Sequence, residues 1–261
     1  MTTSIDYDTY QTFAEKVVNQ YRFALDDESV EFQILLKATA EKRKTTIDRN
    51  QRLFRARKGC DRIHNGLFQP HPIKDMLAPP PDKAHEGRVN PKGIPCFYAA
   101  DQFKTAVSEL RPWVDEYISV AILNPFAELK VVDLTNDDEP SIVFKKCLNK
   151  ALPESKPEIE KQIWSDINVA FSKPISIDDE TSKYAPTQII SEWFKSWGYD
   201  GVVYKSSVHS EGKNYAFFDV NLFSANNDAG MPRVIKVTEI DLNYDPANTL
   251  LSVSQNKEEK K

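Results

Sequence analysis

The stretch YAPTQIISEWFKSWGYDGVVYKSS (184–207) limits the possible folds more than any other part of the chain. Pro186 and Thr187 suit the opening of a helix, and Ile189, Ile190, Trp193, Phe194 and Trp197 recur at helical spacing along one side. Gly198 stands where a helix stops in the left-handed conformation that glycine tolerates. A DG turn then leads into the apolar strand VVY, and NYAFFDV (214–220) supplies another. A helix that breaks on glycine and turns straight into a buried strand belongs to a layered structure of helices on a sheet. At this spacing Trp193 and Trp197 read as core residues rather than as a platform for a cofactor.

The remaining pattern is mixed in the same way. Residues 7–23 place Phe13, Val17, Tyr21 and Phe23 at helical intervals, and residues 28–42 do so with Val30, Phe32, Leu35 and Leu36, so a helical hairpin is expected first. LFRAR (53–57), IPCFYAA (94–100), YISVAIL (117–123), LKVVDL (129–134) and VIKVTEI (234–240) read as strands. Asp101 is placed to cap a helix running to about Leu110, with Phe103, Ala106, Val107 and Leu110 as its apolar stripe and Pro112 as its stop. A further helix is expected over 157–170. Residues 58–95 are rich in proline and glycine, and an irregular connection of that length is unusual unless it covers a binding site. The strand–helix order is irregular, which points to an α+β or mixed α/β fold rather than a regular doubly wound sheet; of the two, α+β, a mixed sheet with flanking helices, is the expected class. The expected organisation is an N-terminal helical extension (1–48), a main domain (49–245) and a flexible C-terminal tail (246–261).

Composition removes several functional classes. The net charge of −5 offers no general basic footprint for nucleic acid. No apolar run is long enough to span a membrane, and MTTSIDYDTYQTFAEKVV lacks the pattern of a secretory signal, so a cytoplasmic protein is expected. Cys60, Cys96 and Cys147 form no CxxC pair, which argues against a disulfide framework or a zinc site and for free thiols in a reducing compartment. His64, His71, His85 and His209 are scattered, and no metal is expected. The sequence contains no GxGxxG after a strand, no GxxxxGK[ST], no HExxH and no GxSxG.

Three segments stand out for chemistry: GRVNPKGIPCFYAADQFKTAVSELRPW (87–113), LFRAR (53–57) and GYDGVVYKSS (198–207). In order and in wording they resemble the RES domain, a family named for an arginine, a glutamate and a serine. RVNPKG followed by IPCFYAADQFKTAVSE resembles the family's core motif, LFRAR its opening strand, and YAPTQ with GYDGVVYKS its later helix and serine-bearing strand. The resemblance runs from about residue 50 to about residue 225. It implies an ADP-ribosyltransferase-like fold and cleavage of NAD⁺ at the nicotinamide–ribose bond, by hydrolysis or by phosphorolysis. NAD⁺ would then be a substrate rather than a cofactor, with inorganic phosphate as the possible co-substrate. Many members are toxins held by an antitoxin, so a regulatory protein partner, and by analogy a homodimer, are implied as well. An extension ahead of the domain and a long 136–183 region depart from compact toxin members and bear on the antitoxin pairing more than on the chemistry.

Carried over position by position, the resemblance implies catalytic roles for Glu109, Arg55 and Ser206 and substrate-binding roles for Arg88, Tyr98 and Ser207, the serine register being open by one residue. The chemistry fits these residue types. Arginine grips phosphate with a planar fork of donors and stays charged. Nicotinamide leaves readily because departure discharges its ring, so the demanding step is the ribose cation, which a carboxylate such as Glu109 opposes. Tyr98 can stack on nicotinamide or pack with its hydroxyl bonded. Ser206 has no histidine at a recognisable spacing to activate it as a nucleophile. Two other readings remain open: an ADP-ribosyltransferase that modifies a macromolecule, and a non-catalytic interaction module.

Overall fold

The structure is a computed structural model that describes residues 5–136, 139–173, 181–224 and 231–240. In chain order it contains α1 (Thr9–Asn19), α2 (Asp27–Ala40), β1 (Lys44–Ile47), β2 (Leu53–Lys58), β3 (Asp61–Arg62), β4 (Phe68–Gln69), α3 (Ile73–Met76), β5 (Phe97–Ala100), α4 (Phe103–Ser108), β6 (Tyr117–Pro125), β7 (Leu129–Asp133), α5 (Ile142–Cys147), α6 (Lys156–Ser172), α7 (Ala185–Ser196), β8 (Gly201–Lys205), β9 (Lys213–Phe217), β10 (Phe223–Ser224) and β11 (Arg233–Lys236). The main sheet runs β1-β7-β8-β9-β5-β2-β6, with β10 and β11 both pairing β6. Of its pairings only β7 with β8 is parallel, because a helical crossover of α5, α6 and α7 joins them. The fold is α+β, as the sequence pattern indicates.

Two faces of this sheet are packed. On one, Val132, Val202, Tyr204 and Ala216 meet Phe13, Phe32, Trp164, Ile167 and Phe194 from the long helices. On the other, Phe97, Val131, Val203 and Phe217 meet Met76 of α3. Coverage of both sides explains why strands such as β6 and β8 are nearly continuous apolar runs instead of alternating ones. The short helix α4 seals the β2–β6 end through Val107 and Leu110 against Ala56, Ile118 and Val120.

The N-terminal hairpin is part of this core. Phe13 lies 5.0 Å from Phe32 and 5.3 Å from Trp193, ring centre to ring centre. Trp193 is buried as expected, and Trp197 packs half-buried with its ring 5.7 Å from Phe194. The last residues of the extension expected over 1–48 form β1 and pair with β7 in register Lys44↔Val132 to Ile47↔Leu129. The flexible tail expected at 246–261 lies outside the described residues. Among the described residues no helix is long and apolar enough to cross a membrane.

Several local expectations shift. The strand expected over 94–100 begins only at Phe97, since Pro95 has no N–H to give to a ladder. Asp101 does not cap α4. Its Oδ1 accepts from the Lys213 N–H at 2.9 Å and extends the β5–β9 pairing, and Gln102 takes the cap position without a side-chain bond. The long 58–95 connection carries the β3–β4 ribbon and α3. The strand expected over 234–240 is β11, over Arg233–Lys236.

Two positions give clear stability expectations. A Cβ at Gly201 would stand 2.3 Å from the Ala216 carbonyl oxygen, a fixed backbone atom between paired strands. Gly201→Ala is therefore expected to destabilise by about 3 kcal/mol in urea unfolding. Asp166 of α6 is buried. Its Oδ1 accepts from the Ile142 N–H at 2.9 Å, and its Oδ2 has no partner among the described residues. Burial raises its carboxyl to about 6. A group bound to its proton more tightly in the folded state contributes most stability below its unfolded value, near 4, and loses that contribution as pH rises to about 6. Asp166→Asn is expected to flatten this slope and to stabilise the protein at pH 8 by about 2 kcal/mol, read from urea midpoints across pH.

Candidate active site

The ladder between β2 and β5 is interrupted. β2 pairs β6 along its whole length, yet it meets β5 at a single register position, Phe54↔Ala100. Beyond that point the sheet splits, and backbone groups that a neighbouring strand would satisfy need other partners. Arg55 provides one: its Nη1 donates to the Tyr98 carbonyl oxygen at 2.6 Å across the gap, while its guanidinium lies 4.9 Å from the Phe97 ring centre. A cavity of about 360 Å³ opens at this split, lined among others by Arg55, Arg88, Tyr98, Glu109, Tyr204 and Asn214. It lies toward the lower end of the ~300–1,000 Å³ typical of small-molecule pockets. Residues far apart in sequence, Arg55, Arg88, Tyr98 and Glu109, thus share one cleft.

The electrostatics favour an anion beside Arg55. It is half-buried, and burial lowers its pKa to about 10, which leaves it charged at neutral pH. Among the described residues it has no carboxylate partner. Desolvating a cation without an opposing charge is unfavourable, and a bound phosphate would relieve that cost.

Arg88 is held differently. Its Nη1 donates to the carbonyl oxygens of Phe171 and Lys173, at 2.5 and 2.6 Å, and so closes the C-terminal end of α6. The arginine therefore both lines the cleft and fastens a helix to it. Its loop is fixed from within and from outside. Asn90 Nδ2 donates to the carbonyls of His85, Pro91 and Ile94. From α7, Thr187 Oγ1 donates to Arg88 O at 2.6 Å, and Gln188 Nε2 donates to Gly87 O and Asn90 O. The YAPTQ segment thereby holds the RVNPKG segment.

Tyr98 belongs to the same scaffold. Its hydroxyl donates to Asn90 Oδ1 at 2.7 Å and accepts from the Val89 N–H at 3.2 Å, and burial pushes its pKa well up. Its ring lines the cleft, but its polar end is committed. Gly87 leaves room for this, since a Cβ there would come within 2.7 Å of the Tyr98 hydroxyl.

Glu109 follows the last residue of α4, still in helical conformation, before Arg111 turns to φ 45° ahead of Pro112. Its side chain is exposed to the cleft, and Oε1 accepts from Ser206 Oγ at 2.7 Å and from Asn214 Nδ2 at 2.5 Å. Ser206 is buried at the end of β8, and its oxygen accepts the N–H groups of Val208 and His209 at 3.3 and 3.2 Å. With those two acceptances its proton is directed to Glu109, an arrangement unsuited to a nucleophile. The adjacent Ser207 is exposed, and of the two serines it is Ser206 whose hydroxyl bonds the Glu109 carboxylate. Sequence reasoning missed Asn90, Thr187, Gln188 and Asn214. Only the first three lie in segments already singled out, and nothing in NYAFFDV marks Asn214 as more than a strand residue.

These features define an α+β protein with a cleft at a split sheet, bearing a guanidinium with no carboxylate partner among the described residues and a doubly held carboxylate. The chain belongs to the RES domain family: the RES domain model matches residues 52–236, with β2 and β11 at its two ends. Among solved structures it is similar to the MbcT–MbcA toxin–antitoxin complex of M. tuberculosis, at 14% identity over 82% of this chain and 94% of that chain, with a TM-score of 0.38. No curated protein shows a match to the chain.

Proposed function

We propose that the cleft binds NAD⁺ and cleaves its nicotinamide–ribose bond, with water or inorganic phosphate as acceptor. The observation that carries this reading is the presence of Arg55, charged and without a carboxylate partner among the described residues, in the same cleft as Glu109. A dinucleotide diphosphate has an anion for the first and a developing ribose cation for the second. The cavity is small for a whole dinucleotide, so the nicotinamide half enters and the adenosine half lies along the rim.

In the reaction the C1″–N bond breaks and its electron pair neutralises the pyridinium ring of the leaving nicotinamide. An oxygen of water or phosphate forms the new bond to C1″, and water releases a proton. Glu109 opposes the positive charge that builds on the ribose and accepts a bond from a ribose hydroxyl. Arg55 grips the diphosphate, or an attacking phosphate, through the donors left over from Tyr98. Arg88 contributes charge while holding the wall of the cleft. Such an activity would exhaust NAD⁺ if unrestrained, so the reading includes a role as a toxin or defence effector controlled by a protein partner.

The test is release of free nicotinamide from NAD⁺ by purified protein, in Tris and in phosphate buffer. Release in either supports the reading, and separation of ADP-ribose from its 1″-phosphate identifies the acceptor. No release in both buffers contradicts it.

A further inference from the structure

We infer that Asn214 is a positioning residue for Glu109, one that dedicates a single oxygen of that carboxylate to the substrate; the inference rests on the reading of the cleft as an NAD⁺-cleaving site. Asn214 sits in β9 between β5 and β8, its Cα opposite Ala100 and Tyr204. Its strand neighbours Tyr215, Ala216 and Phe217 are buried apolar residues, and Asn214 itself is 7% exposed. A buried amide in the middle of a sheet is unfavourable unless it is bonded. Its donor goes to Glu109 Oε1 at 2.5 Å, a charge-assisted bond stronger than one between neutral groups.

The second donor, Ser206, reaches the same oxygen. Two donors converge on Oε1, Asn214 from within β9 and Ser206 from the residue that follows β8, and together they orient the carboxylate. Oε2 has no partner among the described residues, so its lone pairs are the ones the cleft offers to a ligand. The Ser206 donor is held in turn by its own loop, where Thr105 Oγ1 bonds His209 Nδ1 at 2.8 Å and Gly212 passes too close to Thr105 for any Cβ. Asn214 needs no such loop, because the sheet ladder places it directly. Aspartate at this position would keep the shape, remove the donor and set a second acceptor against Oε1.

Steady-state kinetics of nicotinamide release from NAD⁺ test the assignment. Asn214→Asp is expected to lower kcat about 100-fold with KM within about 3-fold of wild type. Asn214→Ser, which keeps a hydroxyl donor, is expected to recover about 10-fold of the loss relative to Asn214→Ala. These two changes also guard against misfolding of the aspartate variant, with thermal midpoints measured alongside. Turnover by Asn214→Asp within about 3-fold of wild type, or no advantage of serine over alanine, overturns the inference while leaving the functional reading intact. A wild-type protein that releases no nicotinamide overturns both.

Discussion

Glu109→Gln is expected to lower kcat for nicotinamide release by roughly 1,000-fold while leaving the thermal midpoint close to wild type. The substitution is nearly isosteric and lies on an exposed side chain, so the fold has little to lose. What it removes is the negative charge that, in the proposed reaction, faces the ribose as positive charge develops there. An amide can still accept from Ser206 and Asn214 through its oxygen, so the two bonds seen at Oε1 persist. The nitrogen then replaces Oε2 and presents donors where the reaction needs an acceptor. KM is expected to change less than kcat, since in the proposed reading Arg55 and not Glu109 holds the diphosphate. Initial rates of nicotinamide release over a range of NAD⁺ concentrations check this. A variant retaining more than about a tenth of wild-type kcat would remove Glu109 from the chemistry.

Arg55→Met is expected to fail in two measurable ways. The apolar stem still covers the Phe97 ring, but the Tyr98 carbonyl oxygen loses its donor at the split of the sheet. An orphaned buried acceptor costs about 1–3 kcal/mol, which urea unfolding should show. The cleft also loses its unopposed positive charge, and KM for NAD⁺ is expected to rise about 100-fold. Arg55→Lys separates the two effects. It keeps the charge but has no planar fork with which to bridge the Tyr98 carbonyl and a phosphate together. Its expected stability loss is smaller than that of Arg55→Met, and its KM lies between those of Arg55→Met and wild type. Equal KM values for all three proteins would place the diphosphate away from Arg55.

The pattern of elements was readable where one physical signal dominates. The helix–glycine–strand passage at 184–207 combines periodicity, a stop residue with φ 85° and a buried apolar run, and it folds as α7 and β8. The two N-terminal helices follow from spacing alone, but not their consequence: β1 joins them to the sheet because Lys44–Ile47 finds β7, a partner distant in sequence. The split between β2 and β5 was not readable at all. LFRAR and IPCFYAA both look like ordinary strands, and their divergence after one paired position depends on how β6 and β9 hold them from outside. The cleft opens at that divergence.

The candidate site was legible in types and less so in roles. Arg55, Arg88, Tyr98 and Glu109 came from motif wording, and the structure gathers all four around one cavity. The motif wording did not say that Arg88 also closes a helix end, or that the Tyr98 hydroxyl is committed to Asn90. Asn214 was invisible because a polar residue within a short strand has no sequence signature. Its meaning appears only when α4 brings Glu109 over β9.

The most direct test is the position of the dinucleotide itself. A crystal structure of Glu109→Gln, which retains the cleft but turns over too slowly to consume its ligand, can be determined with NAD⁺ bound. The expected density has the diphosphate on the Arg55 guanidinium and the nicotinamide ribose beside residue 109, within the opening between β2 and β5. Density for NAD⁺ on another surface, with that opening empty at saturating concentration, would contradict the account.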